Sequence, residues 1–91
     1  SLSPIERYFS EISWISRMLG VSTSSAFTPV EQVDLLLQRL PLAEKEAKAL
    51  LNEYQLSIYS SHQGDLEKAR FAHSRLWMKA ISAAMKRQIG K

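Results

Sequence analysis

The side chains able to do chemistry are few and scattered. His62 and His73 are the only histidines. A metal site built on one helix needs two ligands a turn apart. His73 has Ala69 and Trp77 at those positions, and His62 falls in a stretch that reads as a loop. His73 is therefore expected at the edge of a core, not on a metal. Serines 22, 24, 25, 60 and 61 lie in loops of ordinary turn composition, and no G-x-S-x-G is present. Glu31 is accounted for as a capping residue, and Glu44, Glu46 and Glu53 read as a solvated face. Only three glycines occur, each near a helix end, so there is no phosphate-cradling loop. With no cysteine there is no disulfide, thiolate zinc site or cysteine nucleophile. The chain reads as non-catalytic, with no catalytic, metal or cofactor-binding residue to nominate and no cofactor expected.

Binding chemistry is concentrated near the C-terminus. The net charge is only +3, yet seven basic residues and two acidic ones stand from Asp65 onward. At 100° per residue, Lys68, Arg75, Lys79 and Lys86 fall along one line of a helix. Phe71, Met78 and Met85 form a second line at heptad spacing, with Ile81 between it and the core. Leu66, Ala69, His73, Leu76, Trp77, Ala80 and Ala84 occupy a separate face, the expected core side. The Phe–Met line has two readings. In the first, which the wide apolar arc of many bundle helices favours, it completes the core and the lysines are solvated. In the second, the line and the basic stripe are a docking face for another helix, a sister subunit or an anionic membrane surface. The candidate interaction residues are Lys68, Phe71, Arg75, Met78, Lys79, Met85 and Lys86. A smaller oddity is Trp14 with Met18, opposite the main apolar face of the first helix; Trp14 is expected to pack on the loop Val21 to Phe27, the alternative being contact with a membrane interface or a partner.

Four helices must position these groups. Ser3-Pro4-Ile5-Glu6 and Thr28-Pro29-Val30-Glu31 each spell a helix start. The hydroxyl caps an orphan N–H, proline suits the first helical position, and glutamate bonds back to the cap. The first helix is predicted over 4–19 with Ile5, Tyr8, Phe9, Ile12, Ile15 and Leu19 inward, stopped by Gly20. The second runs over 29–40 and ends before Pro41. The third runs over 42–59 with Ala43, Ala47, Leu50, Leu51, Tyr54 and Ile58 inward, and Glu44 and Lys48 pair on its wet side. The fourth covers 65–88, with Gly90 as a stop. Nothing alternates with a strand's period. Short connections predict an all-α, four-helix antiparallel bundle.

Ninety-one residues with 45% hydrophobic content make a single domain, residues 1–91, able to bury one modest core. No apolar run approaches a membrane span, and no signal peptide is expected. The chain opens almost on a cap and stops just past a helix, so it is expected to be a fragment of a larger protein.

Four landmarks stand in order: the first helix ending Leu19-Gly20-Val21, the box Thr28-Pro29-Val30-Glu31, the step Leu40-Pro41, and Tyr54 and Tyr59 in Tyr-Gln-Leu-Ser-Ile-Tyr-Ser. This order resembles the C-terminal helical domain of unknown function in bacterial membrane-anchored transglutaminase-like proteins. The likeness covers about residues 5–85, and Thr28, Pro29, Glu31, Pro41, Tyr54 and Tyr59 carry the motif. Ser60 departs from it, since relatives often have glycine there. The resemblance implies a module that follows a transmembrane helix on the cytoplasmic side, with the cysteine-bearing catalytic core elsewhere in the parent chain.

The function expected is therefore a non-catalytic accessory or protein-interaction module, its partner another domain of the parent chain or another protein, with the membrane close by. One alternative is a nucleic-acid-binding domain using the basic fourth helix. The acidic residues of the third helix argue against a helix-turn-helix at Pro41. The other alternative is a structural homo-oligomer.

Overall fold

Both capping boxes close as their residues dictate. A computed structural model of the chain describes residues 2–24, 26–59 and 64–89. Ser3 Oγ accepts from the Glu6 N–H and Glu6 Oε1 accepts from the Ser3 N–H; Thr28 and Glu31 repeat the exchange. These caps open helix α1 (Pro4–Met18) and helix α2 (Pro29–Arg39). Gly20 adopts φ +83°, and the N–H groups of Gly20 and Val21 turn back to the carbonyls of Arg17 and Ser16. That left-handed stop is open to glycine at no steric cost.

Leu40 leaves the helical region at φ −135°, ψ 62°, as a residue before proline must. Pro41–Ala43 then form a single 3-10 turn before helix α3 (Glu44–Tyr59). The third helix thus begins two residues later than its apolar pattern implies, and Leu42 is left exposed on the turn. Asp65 starts helix α4 (Leu66–Ile89), its carboxylate accepting from the Lys68 N–H. No strand occurs among the described residues. His62, Ser60 and Gly90 lie outside them.

The molecule is an all-α bundle of four helices. The core takes most of the set that helical spacing selects: Ile5, Phe9, Ile12 and Ile15 from α1 with Leu19 at its C-cap, Val33 and Leu36 from α2, Ala47 and Leu50 from α3, and Ala69, Leu76 and Ala80 from α4; Ile58 and Leu66, expected inward, are exposed near the end of α3 and at the start of α4. Side-chain pairings give the directions. Glu46 meets Lys79 and Glu53 meets Asp65, so α3 runs antiparallel to α4. Ile5 lies beside Gly64, Glu11 meets His73, and Leu19 meets Arg87, so α1 and α4 run in the same direction. The small residues Ala69, Ala72 and Ala80 of α4 and Ala43 of the 3-10 turn are buried in this core. Gly64 marks a close approach: a Cβ there would stand 2.6 Å from the Glu53 carbonyl oxygen.

Candidate functional site

Helix α4 positions all seven candidate interaction residues, and its burial pattern sorts them. Ala69, Ala72, Leu76 and Ala80 face inward. A quarter turn or more away, Phe71, Met78 and Met85 are 66%, 64% and 57% exposed, and Ile81 is exposed beside them. The wide-arc expectation fails here. The neighbours α1 and α3 close on the alanine face, and no described element covers the Phe–Met line. Tertiary packing, not hydrophobic spacing, decides how wide an arc is buried.

The basic stripe is divided in the same way. Lys68 and Lys86 are exposed. Lys79 is turned inward: its Nζ donates to Glu46 Oε1 at 3.0 Å and to the Leu42 carbonyl at 2.9 Å. Arg75 lies between the two groups. Its Nε is 3.7 Å from Glu46 Oε2, and its guanidinium sits 5.5 Å from the Phe71 ring centroid. So the stripe is not one uniform solvated line.

Glu46 and Glu53 correct the sequence reading outright. Both are buried, not part of a solvated face. The signal was present in their spacing: 43, 46, 50 and 53 alternate by three and four, the seam of an inward face. Burial pushes the Glu46 carboxyl up, but the bonds from Lys79 and its own backbone N–H and the charges of Lys79 and Arg75 outweigh it and hold it below its ordinary value. Glu53 Oε1 accepts from the Asp65 N–H at 2.7 Å and so fastens the entry of α4 to α3. Glu44 and Lys48 pair on the wet side as expected, at 2.8 Å.

A second polar group joins α1 to α4. Glu11 Oε1 accepts from Trp77 Nε1 at 2.7 Å and lies 2.8 Å from His73 Nε2, while Tyr8 packs on the imidazole at 4.6 Å between centroids. Burial raises the Glu11 carboxyl; the bonds from His73 and Trp77, with the electrostatic contribution of the imidazole, bring it below its usual value. The expected core-edge histidine is found, half-buried, with its Nε2 committed to Glu11. Among the described residues no group of three His, Cys, Asp or Glu could hold a metal ion. The acid–histidine pair works as a clasp between helices. Its partners lie more than sixty positions apart, and no local spacing announces them.

The motif residues occupy structural posts. Thr28, Pro29 and Glu31 start α2, Pro41 starts the 3-10 turn, and Tyr54 stacks on Phe9 at 4.2 Å. Tyr59 is exposed at the end of α3. Trp14 is 63% exposed, so the loop after α1 does not bury it as expected; the Arg17 guanidinium stands 5.4 Å from its ring. No described helix is long and apolar enough to cross a membrane.

Beside the Phe–Met line runs a groove of about 480 Å³ between the 3-10 turn and the outer half of α4. Leu40, Leu42, Met78 and Ala83 line it together with Arg75, Lys79 and Lys86. Comparison with known proteins finds no matching family model, curated protein or solved structure.

Proposed function

We propose that this domain is a non-catalytic interaction module that docks a protein partner on the outer face of α4. One observation carries the reading: Phe71, Met78, Ile81 and Met85 are all exposed along a helix that buries Ala69, Ala72, Leu76 and Ala80 on its other side. A contiguous apolar line bordered by charge is the usual form of a helix-docking surface. Methionine suits it because an unbranched, polarizable side chain adapts to its partner.

The ordered landmarks at Thr28, Pro41, Tyr54 and Tyr59 support a finer version. In it the module is the accessory domain of a bacterial membrane-anchored transglutaminase-like enzyme and lies at the cytoplasmic face of the membrane. The complete reading frame tests that version. A membrane span upstream with a Cys-His-Asp core before it is the expected result, and a frame without either removes it.

The docking reading is tested through the absence of cysteine. Single Met78→Cys and Met85→Cys variants are compared with Asp34→Cys on exposed α2. Maleimide labelling at positions 78 and 85 should be slower in the native full-length product in its cell extract than in the purified chain, with position 34 unchanged. Equal labelling at all three sites in both preparations would remove the docking reading.

A further inference from the structure

The electrostatics of the groove select its occupant. From the structure we infer that the groove between the 3-10 turn and α4 takes an acidic amphipathic helix, seating aliphatic side chains between Leu42 and Met78 and carboxylates against Lys86 and Arg75. This inference rests on the interaction-module reading and specifies the partner's chemistry.

Three observations lead to it. The first is shape: the site is a concave trough with apolar walls, and Leu42 is 81% exposed on one side of it. An aliphatic side chain entering it gains apolar contact on both flanks, as in helix-in-groove recognition. The second is charge. Arg75, Lys79 and Lys86 line the trough, and Glu46 behind Lys79 is the one carboxylate among their ion pairs. Three positive charges against one negative leave a surplus of two there. Lys86, on the exposed side of α4, remains for a partner's carboxylate.

The third observation argues against a second copy of the chain. Two α4 helices meeting antiparallel about position 77 would place Lys68 opposite Lys86 and Arg75 opposite Lys79. A parallel meeting would set each cation against itself. A seam along the basic stripe in either of these registers faces like charges, which is destabilising. A nucleic acid would match the charge, but it would leave Phe71, Met78, Ile81 and Met85 against a phosphate backbone.

The test uses the whole 91-residue chain labelled with ¹³C at its methionine methyls. Met18 lies on α1 and does not line the groove, and serves as internal control. The probe is a designed helical peptide with leucines at i, i+3 and i+7 and glutamates along both flanks; its twin carries lysines instead. The glutamate peptide should shift the Met78 and Met85 signals and leave Met18 in place, and the lysine twin should shift none. Lys86→Glu should weaken the glutamate peptide by about tenfold, as loss and reversal of a rim charge commonly does. Met78→Glu, also at an exposed position, should abolish the shift at Met85, with circular dichroism confirming the fold of both variants.

Equal response to both peptides, or none to the glutamate peptide, would overturn the inference. So would Met78 and Met85 shifts with phosphatidylglycerol vesicles or duplex DNA but not with peptide, which would assign the face to a bilayer or a nucleic acid. If positions 78 and 85 are protected from maleimide in the native product while the glutamate peptide stays silent, the partner's chemistry is wrong and the docking reading stands. If both experiments are negative, both readings fall.

Discussion

Glu46 of α3 and Lys79 of α4 form an ion pair of 3.0 Å in which the carboxylate is only 8% exposed. The lysine also donates to the Leu42 carbonyl, so one ammonium ties the 3-10 turn, α3 and α4 together. Replacing Lys79 by methionine keeps the stem's packing but leaves Glu46 with the distant Arg75 alone. Lys79→Met should lower unfolding stability by about 1–3 kcal/mol, less than for a fully enclosed pair because Lys79 is partly open to water. Adding Glu46→Gln should recover most of the loss. Urea denaturation of the two single variants and the double variant measures this coupling.

The clasp at Glu11 serves two donors, Trp77 Nε1 and His73 Nε2. Glu11→Ala removes the shared acceptor, leaving Trp77 Nε1 only His73 Nε2 at 3.1 Å, and should cost about 1–3 kcal/mol, while Glu11→Gln keeps an amide oxygen and should cost less. Trp77 emission in a Trp14→Phe background should shift in Glu11→Ala before any unfolding.

Acid should weaken both clasps. The carboxyls of Glu11 and Glu46 are held below their ordinary value of 4.5 in the folded chain. Each therefore contributes stability that is fully present above that value and fades as the pH falls through the lower folded value. Urea midpoints should drop below about pH 4.5 in the native chain, and the drop should be smaller in the Glu11→Gln, Glu46→Gln double variant.

Ser16 is fully buried in α1, and its Oγ has no hydrogen-bond partner. An unpaired buried hydroxyl is costly, and alanine is the better helix former. Ser16→Ala should stabilise the domain by about 1 kcal/mol, a rise of roughly 4–8 °C in Tm for a chain this size. Differential scanning calorimetry reads it directly.

Gly64 allows the start of α4 to approach α3. A Cβ there would meet the Glu53 carbonyl oxygen at 2.6 Å and Ile5 Cδ1 at 2.9 Å. Backbone cannot yield as a side chain can, so Gly64→Ala should destabilise by about 1–3 kcal/mol despite its entropic advantage in the unfolded chain. Chemical denaturation of the variant gives the value.

Local grammar made most of this fold readable. Ser3, Thr28, Gly20 and Pro41 act through neighbours one to five residues away, so their effects are written in adjacent letters. The core stripe of α1 was readable for the same reason: helical period alone brings Ile5, Phe9, Ile12 and Ile15 to one side, whereas on α4 Leu66 proved exposed and Ala72 buried. Glu46 and Glu53 were misread because polarity was weighed above position. Their three–four spacing with Ala43 and Leu50 placed them on the inward seam, where paired carboxylates can be held. The exposure of Phe71, Met78 and Met85 was not readable, since it depends on where α1 and α3 stop covering α4. The Glu11–His73–Trp77 clasp and the bond from Arg87 to the Leu19 carbonyl join positions far apart in the chain, and only the fold brings them together.

The distribution of sulfur has a consequence of its own. The chain has no cysteine, and its three methionines, Met18, Met78 and Met85, are all exposed. An oxidant therefore meets every thioether at the surface and none in the core. Conversion of Met78 and Met85 to sulfoxides would turn an adaptable apolar line into a polar one while the helices beneath stay packed. The bundle would outlast oxidative damage that its docking face does not, and methionine sulfoxide reduction would restore the face without refolding.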